Sequence, residues 1–135
     1  MGLVERRAAA DFQERHLPAL MKKVHQAAGF PVTVDVRWDT LSIDGQSDQY
    51  AKCWPDTYFE PLITGLARIA KDDLGRAALK AGVKKVVIQN EANNKRPDRW
   101  ATLEGGVLTL DYLPFNVHDR PLRADALATL LESKL

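Results

Sequence analysis

The stretch Val83–Asn90 (VKKVVIQN) constrains this chain more than any other. Val86, Val87 and Ile88 are consecutive strand-forming residues with no polar residue between them. A strand with one wet face alternates apolar and polar side chains; a strand covered on both faces has no need to. The run therefore predicts a central strand, covered on both sides, around which the other elements gather.

With 135 residues, the chain has the length of one domain, residues 1–135, and can bury roughly two thirds of its unfolded surface. Its 45% hydrophobic content argues against disorder. Lys and Arg number 19 against 18 for Asp and Glu, so there is no global field for nucleic acid or anionic lipid. Such binding needs a local patch, and nucleic acid is a disfavoured partner. No apolar run approaches the ~20 residues of a membrane span. The N-terminal MGLVERRAAADFQ is charged where a signal peptide has its apolar core. A single cysteine, Cys53, excludes an internal disulfide and fits a reducing compartment. Together these place the protein in the cytoplasm, away from membranes.

The helical pattern from Val4 to Ala28 puts Phe12, Leu20 and Val24 on one side. Pro18 interrupts it, predicting a kink or two helices meeting near His16–Leu17, with Gly29 as the C-terminal cap. Val32–Trp38 alternates strictly and reads as a half-buried strand. Trp54, Tyr58, Leu62, Leu66 and Ile69 form a stripe at spacings of three and four. Pro55 and Pro61 fall within it, and one helix cannot hold both in its first turn. A short helix ending near Cys53 and a longer one starting between the prolines are expected. Gly65 in that helix suggests close approach of another element. Asp72 or Asp73 caps a further helix ending at Gly82. After the central strand comes the polar loop EANNKRPD. Two strand-like runs, Arg99–Glu104 and Val107–Tyr112, then flank Gly105-Gly106 as a hairpin. Pro121 opens an amphipathic closing helix.

The last strands lie too close in sequence for helical crossovers, which predicts an antiparallel meander. The expected fold is a two-layer α+β domain of about four mainly antiparallel strands, with helices mostly on one face. Trp54-Pro55, Tyr58–Leu62, Asp72–Gly75 and Gly106–Asp111, in that order, resemble a group of small uncharacterised bacterial α+β proteins with no assigned activity. The shared residues are packing and turn residues. The resemblance implies a self-contained bacterial domain and carries over no catalytic residue.

Four residues are candidates for chemistry. His16 shares a helix side with Phe12 and Leu20, either as a general base in a cleft or as a boundary histidine. Cys53 precedes an expected helix start, which lowers a thiol pKa, or is a buried inert thiol. Asp111 and His118 lie near the end of the last strand, where an Asp–His pair does acid–base work. Asp119 more simply caps the final helix. No HExxH, cysteine pair or phosphate loop is readable, so neither a metal nor a cofactor is expected. Lys95, Arg96, Arg99 and Trp100 mix cations with an aromatic, as single-strand binders do, or form a solvated loop. Tyr50, Trp54, Tyr58 and Phe59 exceed what one helical stripe buries, so some are expected at a contact. The leading expectation is a non-catalytic protein that acts through a surface, binding another protein or itself, at Lys95, Arg96, Arg99, Trp54 and Tyr58. The alternative is a small enzyme or ligand-binding domain with a pocket between helices and sheet.

Overall fold

A computed structural model describes residues 1–135. The first helical pattern resolves into two helices, α1 (Leu3–Arg15) and α2 (Leu17–Ala28). They break at His16, and Pro18 falls in the first turn of α2, where its missing N–H costs nothing. Gly29 ends α2 in the left-handed region, at φ 83°. Strand β1 is Thr33–Val36. Trp38, expected to extend it, instead opens a 3₁₀ turn, Trp38–Leu41. Next come α3 (Tyr50–Trp54), a π-helical turn (Pro55–Phe59), α4 (Glu60–Ile69) and α5 (Asp73–Gly82). The Asp72 carboxylate caps α5, accepting from the Gly75 N–H at 2.8 Å. Strands β2 (Lys85–Gln89), β3 (Ala101–Glu104) and β4 (Val107–Asp111) precede the closing helix α6 (Arg120–Lys134). None of the helices is long and apolar enough to cross a membrane.

The sheet runs β1-β2-β4-β3. Both β1 and β4 pair with β2 in parallel, and only β3–β4 is antiparallel. The expectation of a mainly antiparallel meander is therefore wrong. The Gly105-Gly106 hairpin is present, with both glycines at positive φ, but it is inserted the other way round. The polar connection Asn90–Trp100 passes over the carboxyl end of β4, so β3 becomes the outer edge and β4 returns beside β2. A parallel pair needs a connection of a dozen or more residues, usually a helix. Here the loop and β3 together supply it.

The helices cover one face. Val34, Val36, Val86, Ile88, Leu103, Leu108 and Leu110 point into the core they share with the helices. Thr33, Asp35, Thr102 and Glu104 are exposed on the opposite face. The central strand is thus not covered by helices on both sides. Val87 lies outside the shared core, yet it is only 3% exposed, screened in register by Asp35 and Thr109. α4 and α6 approach closely at Gly65: a Cβ there would sit 2.6 Å from Leu127 Cδ2 and 2.9 Å from its Cγ, so a larger residue would have to push Leu127 aside.

Candidate functional site

As expected, a short helix, α3, ends at Trp54 and a longer one, α4, begins at Glu60 between the two prolines, and the π-helical turn Pro55–Phe59 joins them without leaving helical backbone. The Glu60 N–H bonds back five residues to the Pro55 carbonyl, leaving the Asp56 carbonyl without its usual donor. Pro61 has no N–H for either Asp56 or Thr57. Buried carbonyls left bare cost about 1–3 kcal/mol each. Arg123, fully buried on α6, supplies the donors: Nε to Thr57 O at 3.2 Å and Nη2 to Asp56 O at 3.3 Å, with Nη1 donating to the His118 carbonyl. No carboxylate pairs with it. Its guanidinium carbon lies 4.6 Å from the centre of the Tyr112 ring, so the ring face carries part of the charge. Burial pulls the Arg123 pKa below its ordinary value, and Tyr112, Asp119 and Tyr58 act against that shift; an arginine stays charged regardless.

The same clamp ties in three neighbours. Thr57 Oγ1 donates to Pro114 O at 2.7 Å, Tyr58 OH to Tyr112 O at 2.6 Å, and Trp100 Nε1 to Arg123 O at 2.8 Å. The N-terminal part of α6 is thereby fixed to the π turn, to the exit of β4 and to the entry of β3. Arg123 and Thr57 escaped the sequence reading. The signal was the pair of prolines in one apolar stripe, which demanded donors from elsewhere.

The residues singled out from the sequence are scattered. His16 is half-buried where α1 meets α2, its ring 5.5 Å from that of Phe12, lining a cleft of about 180 Å³ with Asp11 and Asp48. Cys53 is buried, and that burial pushes its thiol pKa up; Lys52 opposes the shift and Asp56 adds to it. Asp111 is spent on the crossing loop: Oδ1 accepts from the N–H groups of Glu91 and Ala92 at 3.1 and 3.3 Å, and Oδ2 from Gln89 Nε2 at 3.0 Å. His118 is exposed and no hydrogen bond joins it to Asp111. Asp119 sits at the start of α6 at φ 60° and caps it through no side-chain bond.

The aromatic contact surface is corrected outright. Tyr50, Trp54, Tyr58 and Phe59 are at most 1% exposed. The π turn rotates successive residues so that more than one helical stripe faces inward, and Trp54 and Tyr58 leave the list of binding residues. Trp100 is buried as well. Lys95, Arg96 and Arg99 are exposed; Arg96 pairs with Asp98 at 3.0 Å, while Lys95 and Arg99 have no ion-pair partner.

That loop leads into an open groove of about 560 Å³ between β3 and α6. Pro97, Ala101, Leu122, Ala126 and Leu130 provide its apolar wall, and Leu122 is 53% exposed. The wall's two carboxylates, Asp98 and Asp125, are already paired with Arg96 and Arg68. The rim of the groove is an unpaired strand. In an antiparallel pair, alternate residues bond to the neighbour. The Asp111 N–H bonds to Trp100 O, so Thr102 and Glu104 are the β3 residues bonded to β4. Ala101 and Leu103 then direct their N–H and C=O groups outward, where no further strand lies. The groove offers main-chain hydrogen bonding and apolar surface side by side, with free cations at one end. Searches of known protein families, of curated proteins and of solved structures found no match to this chain.

Proposed function

We propose that this protein is non-catalytic and acts through a contact surface, the β3–α6 groove with its flanking loop Lys95–Arg99. The observation that carries this reading is the open edge of β3 lying beside an apolar groove. An unpaired edge is a template for another chain, and an exposed leucine such as Leu122 next to it gives that chain something to bury. Lys95 and Arg99 add charge at the rim. A small enzyme needs polar residues converging on one cavity; no two of His16, Cys53, Asp111 and His118 line the same one. We also keep the reading of a self-contained bacterial domain, which the resemblance in the packing motifs suggests.

The test is a photocrosslinking residue placed at Leu122 in the protein expressed in its native host. The expected result is a specific protein adduct, lost when Ala126 is also changed to Glu. The absence of any adduct would overturn the surface reading.

A further inference from the structure

We propose that the occupant of this surface is a second copy of the same chain, with β3 pairing antiparallel to β3 about a two-fold axis through Thr102. The inference rests on the surface reading above and names its partner. Three observations meet in that arrangement.

The first is the direction of the main-chain groups. Ala101 and Leu103 point theirs outward. With the axis at Thr102, Ala101 of one copy stands opposite Leu103 of the other, and each such pair exchanges both N–H···O bonds. Thr102 faces its own copy as a non-hydrogen-bonded pair on the helix-free face, a favourable cross-strand contact. The two four-stranded sheets become one.

The second is charge. The same register sets Glu104 of each copy opposite Trp100 of the other, so Arg99, in the turn Pro97–Arg99 just before Trp100, stands one position along the seam from the other copy's Glu104. Arg99 and Glu104 are exposed and neither has an ion-pair partner within its own chain. Opposite charges at the two ends of one edge strand are self-complementary only in the antiparallel sense, so they select orientation as well as partner.

The third is area. Edge pairing alone falls short of the roughly 1,000 Å² that a stable interface buries. Each α6 lies beside its own β3, so the two helices flank the seam on the helix face, and the groove residues Leu122, Ala126 and Leu130 face across it. Closing the two grooves on each other supplies the apolar burial that the strands lack.

Sedimentation of the full chain over a range of concentrations tests this. A dimer is expected. Arg99→Glu alone and Glu104→Arg alone should each be monomeric, because each sets like charges across the seam. Mixing the two variants in equal amounts should restore a dimer, since every facing pair is then opposite in sign. Thr102→Lys should also be monomeric while keeping a cooperative melt, because Thr102 is exposed on the helix-free face and the change sets like charges directly opposite at the axis. A monomeric wild type, or a dimer indifferent to all three changes, overturns the proposal. If the Leu122 crosslinker then captures a different protein, the surface reading survives without the second copy; if it captures nothing, both fall.

Discussion

The two edges of the sheet are equally short and differently kept. β1 and β3 each have four residues. On β1, the bond from the Arg37 N–H to Ile88 O means that Val34 and Val36 direct their main chain outward. That edge is defended. Pro31 just before it lacks a donor, Arg37 just after it is charged, and His25 Nε2 donates to the Val32 carbonyl at 3.0 Å. These are the usual means of blunting an edge. The β3 edge carries charges at its ends, Arg99 and Glu104, but no side chain bonds to its outward main-chain groups at Ala101 and Leu103, and it opens beside an apolar groove. The proposed contact surface rests on that contrast.

The contrast can be broken or sharpened at four points, in falling order of effect. Both edges depend on β2. Ile88→Asp, at a fully buried position bonded to β1, should abolish cooperative folding, because a bare buried carboxylate costs several kcal/mol out of a total of about 5–15. A soluble variant with a normal melt would remove β2 from its central role. Val87→Asp, on the helix-free face, should be the milder of the two, which a side-by-side denaturant titration can decide.

Arg123→Met acts on the β3 side alone. It leaves the carbonyls of Asp56, Thr57 and His118 without their donors. A loss of roughly 3–5 kcal/mol is expected, because these carbonyls go bare at about 1–3 kcal/mol each. Hydrogen exchange should quicken first in α6 and β3. Uniform loosening, β1 included, would mean that the clamp does not single out that edge.

His25→Ala tests the defence of the other edge. Losing one hydrogen bond to Val32 should cost about 1 kcal/mol in a thermal or urea melt. An unchanged melt would show that β1 does not rely on it.

Replacing Lys95 and Arg96 together by Ala should change stability by less than about 0.5 kcal/mol, as at other surface sites. The same variant should recover less crosslinked partner at low salt than at high salt, relative to wild type. A large drop in melting temperature would make these residues structural.

Much of the local structure was legible because it depends on neighbours in the chain. The break at His16, the alternation in β1, the Asp72 cap and the Gly105-Gly106 hairpin are all set within a few residues. Strand partners were not legible. A hairpin's two strands must pair, but nothing in β3 or β4 says which of them lies next to β2. That depends on a polar loop of ordinary composition reaching over β4 and being stapled by Asp111. The candidate residues suffered in the same way. Asp111 reads as a free carboxylate until the N–H groups of Glu91 and Ala92 fold onto it, and Arg123 reads as one more charge on an amphipathic helix.

By itself the sequence determined the element order, the β2 core run, and the change of helix between Pro55 and Pro61. Periodicity, capping and turn chemistry act over a few residues and survive in a one-dimensional reading. Only the tertiary structure decided that the sheet is mixed, that the aromatics Tyr50–Phe59 are all inside, that Arg123 answers the prolines, and that β3 rather than β1 is the bare edge. Each of those depends on groups far apart in the chain meeting in space, with burial and hydrogen-bond completion choosing among arrangements that are locally equivalent.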